Sequence, residues 1–287
     1  MADASVIYTM AHVKGNGFEA ELCLDPANRR LRVDDYRGQP EPLHRHIFEL
    51  AEERAFTKIF VKSHEEDWPR FLSLGYMLEG VYQGYFAGSD AYCMAVYLDP
   101  DRRTSGRWIE EDRLLSQVLA LQARPERVRQ DDGTLLRPAV SEDAAPLAAL
   151  FGQIFRTYPT PMSDPSYVAK VLAEGTLFCV IEREGRIVSA ASAEVNVKYR
   201  NAEITDCVTA PEERGQGRVT TLIRALEEHL KERNIHCAYS LSRATSYGMN
   251  AALFRTGYRY SGRLANNCDI GGGYEDMNLW VKKLAFV

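Results

Sequence analysis

The stretch AEITDCVTAPEERGQGRVTTLIRALEEHL, residues 202–230, constrains this chain more than any other. An apolar run ends at Pro211, a short acidic turn follows, and Arg214-Gly215-Gln216-Gly217 leads into apolar positions at helical spacing. Val219, Leu222, Ile223, Leu226 and Leu230 form one stripe, with Glu227, Glu228, Lys231 and Glu232 mostly elsewhere. The unit therefore reads as strand, glycine loop, amphipathic helix. Gly215 and Gly217 permit positive φ and close backbone approach. The N–H groups of Gln216, Gly217, Arg218, Val219 and Thr220 then point out of a helix start, where the dipole also favours anions. That geometry suits a pyrophosphate. Two common formulas are excluded. No Gly-x-x-x-x-Gly-Lys-[Ser/Thr] is present, and the third glycine of the dinucleotide fingerprint is missing, since Arg218, Val219 and Thr220 follow Gly217. On these residues alone, a glycine turn before an ordinary helix remains the alternative.

Length bounds what surrounds this unit. At 287 residues the chain makes one large or two ordinary domains. A hydrophobic share of 45% and a charged share of 26% belong to a soluble globular protein with ample core. A net charge of −5 and the lack of basic runs give no reason to expect nucleic acid as a partner. The opening MADASVIYTMAHVKGNG has no apolar signal core, and no apolar run reaches the ~18 residues of a membrane span. None of the six cysteines sits in a C-x-x-C pair, which points to buried thiols in a reducing cytoplasm. His44-x-His46 lacks an evident third ligand, so no metal is expected.

Along the chain, GFEAELCLD and RLRVDDY flank the turn Pro26-Ala27-Asn28 and read as a hairpin. A helix from Pro42, a strand FTKIFVK, a short helix closed by Gly75 and a strand AYCMAVYLD follow. RWIEEDRLLSQVLALQA reads as another helix. Residues 124–133, polar with Pro and Gly, read as a linker between a first domain (1–123) and a second (134–287). The second opens with a strand, Ser141 as a helix N-cap, and an amphipathic helix. The two parts echo each other: FLSLGYMLEG…AYCMAVYL parallels LFRTGYRYSG…EDMNLWVKKL, with Tyr76 and Met94 spaced 18 apart and Tyr258 and Met277 spaced 19 apart. An internal duplication is predicted, with a degenerate first copy that lacks the glycine loop.

Arg214-Gly215-Gln216-Gly217-Arg218 at a strand-to-helix turn resembles the acetyl-CoA pyrophosphate signature of the GNAT acetyltransferases, with Val219 where Gly or Ala is usual. LLRPAVSEDAAPLAALF is similar to that family's first strand and helix, and SYGMNAALFRTGY to its last helix and Gly-aromatic turn. The resemblance spans about residues 134–284. YPTPMSDPSY, AEITDCVTAP, SYGMN and NNCDIGGGYEDMN together most resemble the β-lysine N-acetyltransferases. This implies an α/β (α+β) acyl-CoA-binding fold with a degenerate GNAT-like first half. It implies acetyl-CoA as cosubstrate and transfer to the distal amine of β-lysine by direct attack in a ternary complex, giving the compatible solute Nε-acetyl-β-lysine. Two other readings stay open: an acetyltransferase for another small amine or a protein lysine, and a non-catalytic acyl-CoA-binding sensor.

The resemblance also implies roles. Val208 and Ala210 offer main-chain groups to the pantetheine arm, and the Val208 amide also faces the thioester oxygen. Ser246 and Asn250 are candidates for hydrogen bonds to CoA. Glu203 is the first choice for the base, because a lysine-type amine with pKa ~10.4 must lose a proton before it attacks. Its alternatives are an ammonium counter-ion or an exposed strand residue. Strand alternation puts Glu203 and Thr205 on one face and Asp206 on the other. The family's usual acidic tyrosine falls at Leu253, so Tyr247 is the substitute candidate. For the substrate, Tyr158 is a lid candidate and Arg200 or Arg243 a carboxylate partner. Asn266, Asn267, Asp269, Glu275 and Asp276 cluster around Gly271–Gly273 as further binding candidates, a solvated loop being the alternative. Cys207 has no basic neighbour in the motif, so a cysteine-linked intermediate is not expected. A homodimer is allowed for, with the first half as a candidate surface.

Overall fold

The computed structural model describes residues 8–122, 133–156 and 158–284. The predicted linker, apart from Gly133, lies outside the described residues. Thirteen strands form one sheet. In chain order they are β1 (Thr9–Gly15), β2 (Phe18–Asp25), β3 (Arg30–Gly38), β4 (Lys58–Ser63), β5 (Met77–Phe86), β6 (Ser89–Tyr97), β7 (Thr134–Pro138), β8 (Leu177–Arg183), β9 (Arg186–Asn196), β10 (Asn201–Thr209), β11 (Cys237–Arg243), β12 (Arg259–Asp269) and β13 (Tyr274–Lys283). Across the sheet the order is β1-β2-β3-β4-β6-β5-β12-β13-β11-β10-β9-β8-β7.

The helices are α1 (Pro40–Glu53), α2 (Trp68–Ser73), α3 (Pro100–Arg103), α4 (Trp108–Leu119), α5 (Ala144–Ile154), α6 (Pro165–Ala173), α7 (Arg218–Glu232) and α8 (Tyr247–Arg255). The apolar stripe of α7 is buried as its spacing requires: Leu222, Ile223, Leu226 and Leu230 have no exposed surface. Each such side chain contributes roughly 1.5–3 kcal/mol relative to exposure. Glu227, expected on the polar face, is buried and ion-pairs with Lys282 at 2.6 Å. Ser141 does not cap α5: residues 141–143 form a single 3-10 turn, and Asp143 accepts instead from the Val140 N–H and from Arg137.

The echo in the sequence corresponds to a repeated topology. β3 runs parallel to β4 across α1, and β10 runs parallel to β11 across α7. Each parallel pair is then extended by an antiparallel hairpin, β5–β6 in the first half and β12–β13 in the second. The halves meet where β5 pairs with β12 through Gly80 and Gly262. These glycines hold equivalent places, four residues after Tyr76 and Tyr258. A Cβ on Gly262 would stand 2.1 Å from the Glu79 carbonyl oxygen, so only glycine lets the strands cross there. Contacts between the halves go further. Leu115 and Val118 of α4 lie in the core under α7 and α8, and a mixed aromatic cluster joins Tyr82 and Tyr85 to Tyr239.

Candidate active site

The site begins with a defect in the sheet. β10 and β11 pair only through Asn201, Ala202 and Glu203, opposite Cys237, Ala238 and Tyr239. Beyond that point no ladder joins them. On its other side β10 is bulged between Thr205 and Val208, with Asp206 at φ 47°. The strands splay into a cleft of about 120 Å³, lined by residues from both, among them Ile204, Cys207, Ser242 and Arg243, and by Ser246 and Met249 of the α8 start.

Which main-chain groups face this cleft follows from the β9 ladder. The Ala210 N–H donates to Val188, and the Val208 carbonyl accepts from Ser189 Oγ at 2.9 Å. Both residues turn their main-chain groups toward β9. Alternation then aims those of Cys207 and Thr209 into the cleft, and Arg214 Nε reaches the Thr209 carbonyl from the loop side. The candidate backbone positions are thus shifted by one residue from Val208 and Ala210, because the bulge changes the phase of the strand.

The glycine loop follows directly. Gly215 and Gly217 have φ of 77° and 79°, and nothing lies within 4 Å of where a Cβ would stand on either. The approach to the first amides of α7 is therefore open, as an incoming phosphate needs. Arg218 does not reach outward. Its buried guanidinium binds Glu213 at 2.8 Å and Gln216 at 2.8 Å, and Arg183 holds the other Glu213 oxygen at 2.6 Å. This pair fixes the turn from within, so the side chain of Arg218 is a positioning group. Val219 is partly buried against the core. Thr220 is half-buried in the first turn of α7.

At its inner end the cleft opens into a chamber of about 560 Å³. Tyr158, Thr205, Asp206, Leu241, Ile270 and Met277 line both spaces. Tyr158 is thus at the junction, where a lid candidate belongs, and it hydrogen-bonds Asp206. Asp206 itself contradicts simple alternation. The bulge and its left-handed φ turn it to the chamber side with Glu203 and Thr205, where Ser192 Oγ donates to it at 2.7 Å. Burial raises its pKa to about 6 despite that bond.

Glu203 lines the chamber and has no side-chain hydrogen bond among the described residues. Burial, and then the charge of Glu194, raise its pKa to about 7. Glu194 is accessible from the cavity mouth, yet the surrounding protein still raises its pKa through burial. The Cys207 thiol is pushed up to about 12 by burial and by Asp206, so it stays neutral near pH 7.

Another part of the chamber wall comes from the first half. Arg32 and Asp34 of β3, and Lys62 of β4, line the same chamber as Glu203. Arg32 grips Asp34 through two nitrogens, at 2.7 and 2.9 Å, and Lys62 reaches the same carboxylate at 2.8 Å. Burial opposes charge on Asp34, but these two cations outweigh it and hold the carboxyl well below the usual range. Asp35, beside them, binds Lys198 and Tyr199. Sequence reasoning missed this wall. The available signal was same-face charge on strands, Arg30 and Arg32 in RLRVDDY and Lys58 and Lys62 in TKIFVK, where a strand in mid-sheet should be apolar.

Several sequence-based candidates lie elsewhere. Tyr247 lines neither space; it is 39% exposed at the start of α8, so it is not placed to protonate a leaving thiolate. Leu253 is in the core. Asn250 is a buried hub. Its Oδ1 accepts from Ser242 Oγ, Asn278 Nδ2 and Trp280 Nε1, and its Nδ2 donates to two carbonyls of the loop before α8. No hydrogen-bonding capacity remains for CoA. Arg200 is exposed in a turn beside His236, away from the chamber. Arg243 lines the cleft, not the chamber.

Of the polar loop, only Asn267 lines the chamber. It is buried, with Oδ1 unpartnered, and aims no polar partner elsewhere from that atom. Asn266 is tied to the Arg102 and Thr104 carbonyls, Asp269 caps the Gly272 N–H, and Glu275 pairs with Arg107 at 3.1 Å. Asp276 is buried and accepts from the Asn266 N–H. Asn266 and Glu275 thereby fasten the last hairpin to the first half, while Asp269 and Asp276 bond within the hairpin, so these groups are held by structural partners and not in a flexible ligand loop. The described residues hold no group of three or more metal-type ligands and no helix long and apolar enough to cross a membrane.

The sequence model of the Acetyltransferase (GNAT) family matches residues 146–258. The N-acetyltransferase YodP of Bacillus subtilis (strain 168) is 38% identical over 274 residues, covering 95% of this chain and 98% of its own. A beta-lysine N(6)-acetyltransferase of Methanosarcina mazei is 38% identical over 270 residues, 87% of this chain and 100% of the relative. Another of that description, from Methanococcus maripaludis, is 32% identical over 255 residues, 89% of this chain and 93% of its own.

Proposed function

The chain belongs to the GNAT acetyltransferase family, whose members use acetyl-CoA as cosubstrate, and from that premise we propose that it acetylates the distal amine of β-lysine. The observation that carries the reading is a cleft, suited to a pantetheine arm, that leads into a chamber whose walls hold both carboxylates and cations. An amino acid with a second amine has that mixture of charges. Two relatives that share most of this chain are described as beta-lysine N(6)-acetyltransferases, which supports the choice of substrate.

In this reading the loop amides around Gly215–Thr220 hold the pyrophosphate, and the main-chain groups of Cys207 and Thr209 pair with the arm. The thioester lies at the junction beside Tyr158. Substrate enters the chamber with its distal ammonium toward Glu203 and Glu194. Glu203 takes one proton, directly or through water, and the amine nitrogen attacks the carbonyl carbon. The C–N bond forms as the C–S bond breaks, and the CoA thiolate takes up a proton. The products are the amide and free CoA. The neutral Cys207 thiol supports direct transfer over a cysteine-linked acetyl group.

We also read residues 1–123 as a degenerate copy of 134–287, and the product as a compatible solute made in the cytoplasm, a setting that six unpaired cysteines suit. Purified protein supplied with acetyl-CoA and a panel of β-lysine, α-lysine, simple diamines and a lysine peptide tests the substrate. β-Lysine should give the highest kcat/KM; preference for α-lysine or the peptide overturns the proposal.

A further inference from the structure

The first half has no glycine loop, but its parallel strand pair lines the chamber. Arg32 stands opposite Phe60 in the β3–β4 ladder, third from its start, and Glu203 stands opposite Tyr239 at the third position of the β10–β11 ladder. β3 even keeps a bulge, at Asp34, two residues beyond Arg32. Arg32 is therefore the topological counterpart of Glu203. The two side chains, one from each half, line one chamber.

The charges on those walls do not cancel locally. Arg32 and Lys62 share a single carboxylate, Asp34, which leaves one positive charge over. Arg32 uses Nε and Nη2 on Asp34, and its Nη1 has no partner among the described residues. Glu194 and Glu203, which line the same chamber, have no side-chain ion pair among the described residues, so two carboxyl groups there are free to take the cationic end of a ligand. A chamber lined by cations from the first half and carboxyl groups from the second matches a ligand with a carboxylate at one end and an ammonium at the other.

We propose that Arg32, supported by Lys62, binds the carboxylate of the amino-acid substrate, so that the degenerate half selects amino acids over plain diamines. This rests on the distal-amine reading above. The selectivity comes from a pseudo-symmetric exchange: the position that carries the glutamate in the second half carries the carboxylate receptor in the first. With the carboxylate anchored on β3, the chain of the substrate spans the chamber and delivers its far amine to Glu203.

The test compares β-lysine with the diamine that remains when its carboxyl group is replaced by hydrogen. Arg32→Gln should lower kcat/KM for β-lysine about 30-fold or more, chiefly through KM, and by at least about tenfold more than for the diamine. Arg32→Lys should recover part of the loss. A merely structural role would lower both substrates by the same factor, and that result overturns the proposal. If Arg32→Gln does not fold, Asp34→Asn serves. It releases both cations, so KM for β-lysine should fall while KM for the diamine does not; a rise or no change overturns the proposal. Wild-type turnover separates the two claims. Activity on the diamine equal to that on β-lysine contradicts carboxylate selection alone, whereas no activity on any free amine contradicts the functional reading itself.

Discussion

Glu203 and Glu194 are direct cross-strand partners in the β9–β10 ladder, two carboxylates side by side on the wall of one chamber. Like charges so placed destabilise the doubly ionised state. Burial acts in the same direction, and Glu203 reaches a pKa of about 7. A base must be ionised to accept a proton, so kcat/KM for the amine should rise with pH through about 7. Glu194→Gln removes the neighbouring charge, which lowers the Glu203 pKa and should shift that acidic limb to lower pH. A pH–rate profile of both proteins checks this; an unshifted limb contradicts it.

The same raised pKa has a stability consequence. Between the ordinary glutamate value of 4.5 and about 7, the folded protein holds a proton at Glu203 that the unfolded chain has released. Stability from this group is present below about 4.5 and is lost as pH rises to about 7. Glu203→Gln should therefore stabilise the fold at pH 8, by on the order of 1–2 kcal/mol, and much less at pH 4. Urea denaturation at the two pH values measures the difference.

Asn250 belongs to the scaffold. Asn250→Ala would leave Trp280 Nε1 and Asn278 Nδ2 without their shared acceptor in a buried site. A loss of about 2–4 kcal/mol is expected. Denaturation with and without CoA separates this from a ligand role: a cofactor contact would instead weaken CoA binding while leaving the unliganded stability intact.

The loop is held from beneath by Glu213 between Arg183 and Arg218. Glu213→Ala removes the carboxylate that ties Arg183 and Arg218 together beneath the turn, so acetyl-CoA affinity should fall about tenfold or more through a displaced turn. Val219→Ala, by contrast, leaves the amide in place and should change affinity less than about tenfold. Calorimetric titration of acetyl-CoA into each variant distinguishes the two effects.

The repeated topology, the glycine turn before α7 and the strand that carries Glu203 were legible because each depends on local pattern: spacing of Gly-Tyr turns, two glycines before an amphipathic stripe, alternation on a strand. The bulge at Asp206 was not legible. It takes a left-handed φ at a residue other than glycine, and it shifted both the side-chain face of Asp206 and the main-chain direction of Val208 and Ala210. Same-face charge on β3 and β4 could have singled out Arg32 and Lys62, but not the site they join. Their partners in the chamber lie more than a hundred residues away, so no spacing rule connects them to Glu203. The polar run around Asn266 misled because buried polar residues that join two halves have the same composition as a ligand loop.

The most direct test of the account is Glu203→Gln, with acetyl-CoA affinity and β-lysine turnover measured on the same preparation. Turnover at pH 7 should fall about 100-fold or more, with CoA affinity within about threefold of the parent. Turnover equal to the parent's, or a loss explained entirely by weaker CoA binding, would contradict the role given to Glu203 and the chemistry built on it.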